Sequence, residues 1–247
     1  MAREVLIVTG GSRGIGAAVC RAAARDGYDV CLSFVENAAA ADAVCADVAA
    51  AGGRATAVQG DVADPTFAVR LFDACAERLG PASALVNNAG VTGGIGPFRA
   101  TTVETMRRVL AVNLLGTMMC AQEAVRRWLA DGTRGRIVNL SSIAATVGAP
   151  NEYVPYAATK AGVETFTVGL AKEVATAGIR VVAVAPGVIY TDIHASSGEP
   201  DRPARVVSRV PMARVGEPEE IAEAIVWLLS EKADYVTGTV LRVSGGV

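Results

Sequence analysis

Short apolar runs alternate with amphipathic segments of helical length along the whole chain. Two of the runs, around Ala84–Asn87 and Val181–Ala185, are not interrupted by polar positions. Strands that are covered by helices on both faces have this pattern. The seven predicted strands are Val5–Val8, Val30–Phe34, Ala55–Gln59, Ala84–Asn87, Ile137–Leu140, Val181–Ala185 and Val240–Val243.

Helix signals fill the intervals between these strands. Asp64 followed by Pro65 predicts a helix start, and Leu79 is its predicted end because Gly80-Pro81 follows. The segment Gly216-Glu217-Pro218-Glu219-Glu220 predicts another start, since acidic residues are favoured at a helix N-terminus. Two longer helices are expected at about Val103–Trp128 and Ala157–Ala177.

The repeated β-α-β order predicts an α/β fold, with a doubly wound parallel sheet and helices on both faces. Because no linker or repeat divides the sequence, residues 1–247 are expected to form a single domain. The least regular stretch, about 189–209, carries Gly198, Pro200 and Pro203. Such a segment in a compact domain often covers a ligand, and we expect a substrate lid here.

Composition narrows the possible partners and location. The net charge of the 247 residues is −2 with both signs mixed, which does not favour nucleic acid or an anionic membrane as a partner. No apolar stretch approaches the roughly 20 residues of a membrane span, and the first strand begins too early for a signal peptide. Five cysteines without a CxxC pair indicate reduced thiols in a cytoplasmic protein.

The single histidine, His194, limits the available chemistry. A zinc site with three ligands of the His₃ or His₂Glu kind cannot be built, and no metal is predicted. A Ser–His–Asp triad would need His194, whose neighbourhood has the composition of a flexible loop. A loop histidine near a substrate entrance, or a solvated one, is the favoured interpretation.

A glycine-rich turn joins the first predicted strand to the first predicted helix. Bare backbone N–H groups and the positive end of a helix meet at such a turn, which stabilises a pyrophosphate. The spacing GxxxGxG differs from the usual GxGxxG, and a turn rich in glycine for packing is the alternative. Its place after the first strand favours a dinucleotide, with contacts from Gly10, Gly11, Ser12, Arg13, Gly14, Ile15 and Gly16.

A second group of residues could move a proton. Tyr156 and Lys160 are four residues apart and share one helix face, and Ser142 follows the strand Ile137–Leu140 at the edge where such sheets bind ligands. An ammonium about 5 Å from a phenol, at an effective dielectric of about 20, favours the phenolate by roughly 3 kcal/mol, or about two pKa units. Reducing a carbonyl needs a proton on oxygen as well as a hydride on carbon, and this group can supply the proton without metal or histidine.

These motifs together resemble the short-chain dehydrogenase/reductase (SDR) family, and in particular its members of the 3-oxoacyl carrier-protein reductase kind. The similarity extends over essentially the whole chain. It rests on Thr9–Gly16, Asn87-Asn88-Ala89-Gly90, Asn113, Ser142, Tyr156 with Lys160, and Pro186-Gly187, in the family's order and spacing. The interval from Ser142 to Tyr156 is one residue longer than in many relatives, and Pro150 and Pro155 are expected to absorb the difference in the loop.

The resemblance implies a Rossmann fold with seven parallel strands and a role for each matching residue. Tyr156 would be the acid/base, Ser142 would orient the substrate, and Lys160 would also bind the nicotinamide ribose. Asn113 would hold a water in the proton relay to Lys160. The other implied cofactor contacts are Asp61 and Val62 at the adenine, Asn88, Ala89 and Gly90 beside the adenosine ribose, and Pro186, Gly187, Ile189 and Thr191 at the carboxamide.

The choice of dinucleotide depends on the end of the second strand. NAD-using relatives have an acid where this chain has Phe34, and Arg13 is placed to meet a 2′-phosphate as in NADP-using relatives. NADP(H) is therefore favoured. NAD(H) stays possible, because Glu36 could turn inward and bind the ribose diol.

The sequence thus predicts an oxidoreductase that interconverts a carbonyl and a secondary alcohol of a small-molecule substrate. Two alternatives stay open: an NAD-dependent sugar or polyol dehydrogenase, and a dinucleotide sensor without catalysis. A homo-oligomer, as a tetramer, is also expected, unless the apolar stripes are used within the subunit. The stripe on the second long helix contains Ala161, Gly162, Thr165, Phe166, Gly169 and Leu170.

Overall fold

Seven parallel strands form one sheet at the centre of the chain. In the computed structural model, which describes residues 3–193 and 198–247, their order across the sheet is β3-β2-β1-β4-β5-β6-β7. The strands are β1 Glu4–Val8, β2 Tyr28–Phe34, β3 Ala55–Gln59, β4 Ala84–Asn87, β5 Arg136–Leu140, β6 Arg180–Pro186 and β7 Val240–Val243. The prediction of a single-domain Rossmann fold with seven parallel strands is confirmed.

Helices cover both faces of the sheet. They are α1 Gly14–Arg25, α2 Ala38–Ala50, α3 Phe67–Arg78, α4 Val103–Leu110, α5 Thr117–Asp131, α6 Ala144–Val147, α7 Val154–Val174, α8 Arg202–Val206 and α9 Pro218–Leu229. Short 3₁₀ turns occur at Phe98–Ala100, Ala175–Ala177, Val207–Arg209 and Glu231–Ala233. No helix in these two described ranges is long and apolar enough to cross a bilayer.

The apolar core consists of two layers separated by the sheet. Alternate residues of β1 point into different layers: Leu6 and Val8 pack with α1, α2 and α9, whereas Val5 and Ile7 pack with α3, α5 and α7. Both layers bury aliphatic side chains almost completely, which is why the central strands have apolar residues at successive positions. The five cysteines carry free thiols, and four of them are buried in these layers.

Two helix predictions need correction. The predicted start at Asp64-Pro65 is wrong, because the Asp64 carboxylate accepts hydrogen bonds from the backbone N–H and the hydroxyl of Thr66, both at 2.8 Å. This local turn delays α3 until Phe67. By contrast, α9 begins as predicted, with a capping box between Glu217 and Glu220.

The single helix predicted over Val103–Trp128 is also interrupted. A six-residue π-helical turn, Ala111–Gly116, separates α4 from α5 and contains Asn113. Gly116 packs closely against the loop that follows β3. A Cβ on Gly116 would lie 3.0 Å from the carbonyl oxygen of Val62 in that loop. Turns of this kind frequently occur at functional sites.

The carboxyl ends of the strands meet at one edge of the sheet, and a cleft of about 520 Å³ opens there. Strands β1 and β4 are neighbours in the sheet although β2 and β3 lie between them in sequence, so the connections leave β1 and β4 in opposite directions. Open α/β sheets bind ligands at this kind of position. His194 and part of the predicted lid, residues 194–197, lie outside the described residues.

Candidate active site

The turn between β1 and α1 forms one end of the cleft. Gly10 and Gly14 have left-handed backbone angles, with φ of +63° and +52°, which side chains rarely adopt. Arg13 is the N-cap residue of α1 but makes no side-chain cap, and the first turn of this fully described helix carries no acidic residue. The N–H groups of that turn are therefore suited to an anionic ligand such as a pyrophosphate.

Two glycines of the turn, Gly11 and Gly16, serve packing and do not line the cleft. A Cβ on Gly16 would lie 2.3 Å from the carbonyl oxygen of Gly10, and a Cβ on Gly11 would lie 2.7 Å from the Cβ of Leu32. Their predicted direct contact with the cofactor stays a prediction. They let the chain fold tightly enough for the neighbouring residues to face the ligand.

Asn88 fastens the turn to β4. Its Nδ2 donates to the carbonyl oxygens of Thr9 at 3.0 Å and Gly10 at 2.9 Å. The neighbouring Asn87 is buried and donates from Nδ2 to the Oδ1 of Asn139 at 2.9 Å, which joins β4 to β5. The Asn87–Gly90 motif thus joins β4 to the turn and to β5. Asn88, Ala89 and Gly90 also line the cleft.

Ser142, Tyr156 and Lys160 come together on the other side of the cleft. Ser142 follows β5, and the other two residues lie one turn apart on α7. The Nζ of Lys160 is 5.6 Å from the centre of the Tyr156 ring and donates to the carbonyl oxygen of Leu140 at 2.6 Å. The predicted grouping of these three side chains is thus present in the structure.

The predicted lowering of the Tyr156 pKa by Lys160 is not observed. Burial raises the pKa of Tyr156, although a hydrogen bond from Ser142 and the charge of Arg202 act to lower it. Burial also lowers the pKa of Lys160 to about 8. The two groups lie in the same water-poor environment, which disfavours the phenolate and the ammonium alike. The phenol is therefore held in its protonated form.

Asn113 does not line the cleft. It is completely buried, its Oδ1 accepts from the Val91 N–H at 2.8 Å, and its Nδ2 donates to the Val91 carbonyl and to the Thr159 hydroxyl. Its backbone carbonyl accepts from Thr117 Oγ at 2.9 Å. These contacts tie the π-helical turn to the loop after β4 and to α7. The role of Asn113 in holding a water of the proton relay to Lys160 stays a prediction.

The remaining predicted cofactor residues line the cleft. Gly187 permits close approach of two chain segments, since a Cβ there would lie 2.7 Å from the Ser244 backbone. Asp61 is held by Arg108, whose Nη1 lies 2.6 Å from its Oδ2. The predicted site residues that line the cleft are Gly10, Ser12, Arg13, Gly14, Ile15, Asp61, Val62, Asn88, Ala89, Gly90, Ser142, Tyr156, Lys160, Pro186, Gly187, Ile189 and Thr191.

The adenosine end of the cleft contains both residues that bear on the choice of dinucleotide. Strand β2 ends at Phe34, which is buried, and the exposed side chains of Arg13 and Glu36 both border the cleft beside it. Asn37 is occupied as the N-cap of α2, with its side chain accepting from the Ala40 N–H at 2.9 Å. Arg13 and Glu36 thus offer one cation and one anion beside Phe34.

Sequence reasoning missed several residues of the substrate side. Tyr153 and Arg202 line the cleft, with the Tyr153 ring packed on Tyr156, and Asp192 also lines it. Nothing in the local sequence singled out Arg202, which lies 46 residues after Tyr156 and reaches the site only through the course of the chain after β6. Within the described residues, no group of three or more His, Cys, Asp or Glu side chains could hold a metal ion.

Comparisons with known proteins match almost the entire chain. A family model described as enoyl-(acyl carrier protein) reductase covers residues 10–247. The chain is 47% identical to the uncharacterized oxidoreductase YgfF of Escherichia coli, over 98% of this chain and 99% of that protein. It is 39% identical to a 3-oxoacyl-[acyl-carrier-protein] reductase of Synechocystis, over 99% and 96%. The crystal structure of a short-chain type dehydrogenase/reductase from Mycobacterium marinum superimposes with a TM-score of 0.92 at 29% identity, covering 98% of this chain and 94% of that one.

Proposed function

This chain belongs to the short-chain dehydrogenase/reductase family, and we propose that it reduces a carbonyl with NADPH, using Tyr156 as the proton donor. As a member of this family it is an oxidoreductase that interconverts a carbonyl and an alcohol with a nicotinamide dinucleotide. The direction, the phosphate on the dinucleotide and the roles of the individual residues are the proposal.

The observation that carries the proposal is the buried phenol of Tyr156 in one cleft with Ser142 and Lys160. Because burial raises the pKa of Tyr156, its hydroxyl keeps a proton that can be given to a carbonyl oxygen. Ser142, at the end of β5, donates a hydrogen bond to the same substrate oxygen and stabilises the charge that develops there. The Lys160 ammonium lies 5.6 Å from the centre of the Tyr156 ring. It stabilises the phenolate that is left after the proton has moved to the substrate.

The dinucleotide would be held along the cleft by the turn Gly10–Ile15, by Asp61 and Val62, and by the segment from Pro186 to Thr191. When bound, it supplies or accepts the hydride. The hydrogen bonds of Asn113 hold the π-helical turn against α7, the helix that carries Lys160. Asn113 is also proposed to hold a water in the proton relay to Lys160.

NADP(H) is the proposed dinucleotide. Arg13 is exposed at the uncapped N-terminus of α1, where a 2′-phosphate could accept hydrogen bonds from its guanidinium, and Phe34 offers no group for a ribose diol. Glu36 borders the same space and supports the competing candidate, an NAD-dependent sugar or polyol dehydrogenase. Binding measurements with both dinucleotides distinguish these candidates.

The test of the reaction is a substrate panel with a matched inactive variant. Ethyl acetoacetate, cyclohexanone, glucose and cyclohexanol are each incubated with the corresponding form of NADP or NAD, and nicotinamide absorbance is followed. We expect reduction of a ketone with NADPH, and a loss of about 10²–10⁴ in kcat for Tyr156→Phe with unchanged NADPH affinity. Turnover by the variant at the wild-type rate would refute the role of Tyr156. Tight dinucleotide binding without turnover of any probe would favour the sensor.

A homotetramer with a substrate lid at about 189–209 completes the proposal. Val103, Leu110 and Leu115 expose large apolar side chains on α4 and the π-helical turn, and Trp227 and Tyr235 do so near the C-terminus. Part of the predicted stripe on α7 is used within the subunit, because a Cβ on Gly162 would lie 3.2 Å from Leu114, whereas Gly169 has open space. The cytoplasmic location stays a prediction.

A further inference from the structure

A partly buried ion pair joins helix α8 to the loop that leads into α7, the helix that carries Tyr156. Arg202 donates from Nη2 and Nε to the same carboxylate oxygen of Glu152, at 2.6 and 3.1 Å, and the two side chains are only 11% and 12% exposed. Arg205, one turn further along α8, donates to the other oxygen of Glu152 at 3.2 Å. Both carboxylate oxygens of Glu152 are thus bound by the same short helix.

The same arginine also contacts the aromatic wall of the cleft. Its guanidinium carbon lies 5.1 Å from the centre of the Tyr153 ring, a distance typical of a cation–π contact. Tyr153 in turn packs edge-to-face on Tyr156, with ring centres 5.2 Å apart. Arg202, Tyr153 and Tyr156 therefore form a continuous row of side chains, and all three line the cleft.

The loop that carries Glu152 has an unusual backbone. Gly148, Ala149 and Asn151 have φ of 75°, 45° and 60°, and two of these are not glycine. Conformations of this kind persist where the surroundings hold them, and they are concentrated at functional sites. The Glu152 carbonyl accepts from the Gly96 N–H at 2.8 Å, so the loop is held by its main chain on one side and by α8 on the other.

We infer that Glu152 and Arg202 are positioning residues, whose ion pair holds Arg202 against Tyr153 and thereby sets the orientation of Tyr156 toward the substrate. A buried ion pair has a high desolvation cost and by itself adds little stability, so a purely structural joint could be made of apolar side chains. This inference rests on the proposed function, because it assigns the substrate side of the same cleft. It concerns the reaction with the carbonyl and leaves the dinucleotide end of the cleft unaffected.

Kinetics of single variants test the inference. Glu152→Gln and Arg202→Gln are expected to raise the KM for the ketone that wild type reduces and to lower kcat/KM by up to about 100-fold, the effect of a small misplacement of reacting groups. The NADPH affinity is expected to be unchanged. Since both nitrogens of Arg202 contact one oxygen, a single ammonium can replace them, and Arg202→Lys is expected to recover most of the loss. Arg25→Gln, which breaks the exposed pair with Glu223, is the matched control.

Hydrogen exchange gives a second readout that does not need turnover. With Arg202→Gln, amides of residues 148–156 should exchange faster, and with Glu152→Gln, amides of residues 202–206 should do so, while Arg25→Gln changes neither segment. Wild-type kcat/KM in both Gln variants, an equal loss with Arg202→Lys, or unchanged exchange in both segments would overturn the inference. If wild type reduces no ketone, the proposed function fails, and the exchange data alone decide whether the pair joins the two segments.

Discussion

We expect Lys160 to destabilise the folded protein, although the proposed reaction requires it. Lys160 is 4% exposed, and burial lowers the pKa of its amine from the ordinary 10.5 to about 8. One pKa unit corresponds to about 1.4 kcal/mol, so keeping the charged amine buried costs about 3 kcal/mol. Replacement by methionine, which is unbranched and similar in length, removes this cost but also the hydrogen bond to the Leu140 carbonyl, worth about 1.5–3 kcal/mol.

We therefore expect Lys160→Met to be inactive but about 1 kcal/mol more stable than wild type at pH 7. For a chain of this length, about 1 kcal/mol corresponds to about 2–4 °C in Tm. The pH dependence identifies the cause. The unfolded chain binds the lysine proton up to pH 10.5 and the folded chain only up to about pH 8, so the penalty is complete below pH 8 and disappears as the pH rises to 10.5.

The assay is thermal unfolding of the dinucleotide-free protein at pH 7 and pH 10, followed by circular dichroism. The control is Lys172→Met, an exposed lysine on the same helix, which should leave Tm almost unchanged at both pH values. At pH 10 the advantage of Lys160→Met should vanish or reverse, because the lost hydrogen bond is then no longer offset. A lower Tm than wild type at pH 7, or an advantage that is the same at both pH values, would refute the reasoning.

Three further predictions concern the cofactor and the assembly. Arg13→Ala should weaken NADPH binding by about 10–100-fold and leave NADH binding unchanged; a preference for NADH that disappears in Glu36→Ala would instead show that Glu36 reads the ribose. Gly16→Ala places a Cβ 2.3 Å from the Gly10 carbonyl and should raise the NADPH Kd at least about tenfold, whereas Gly169→Ala, with no atom within 4 Å of its Cβ, should not. Light scattering should give a mass near four times 25.3 kDa, and the mass of one chain would exclude the oligomer.

The fold and the grouping of Ser142, Tyr156 and Lys160 could be predicted from the amino-acid sequence. Mostly apolar runs identified every strand of the sheet, and at Val181–Ala185 the run is uninterrupted because helices cover this central strand on both faces. Several strands begin one or two residues earlier than predicted; β2, for instance, includes Tyr28 and Asp29, whose polar groups are satisfied by Arg54 and the Leu229 carbonyl. Ser142, Tyr156 and Lys160 were found because their order and spacing follow from strand and helix geometry.

The pKa values and the packing of these residues depend on the folded environment and could not be predicted from the sequence. Burial raises the pKa of Tyr156 and lowers that of Lys160, and no local sequence pattern reports the dielectric around a side chain. In the folded chain, Asn113, Gly11 and Gly16 lie in closely packed positions that do not line the cleft. Arg202 reaches Tyr153 from a distant part of the chain, and contacts between remote segments depend on the path of the whole backbone, which sequence spacing does not encode.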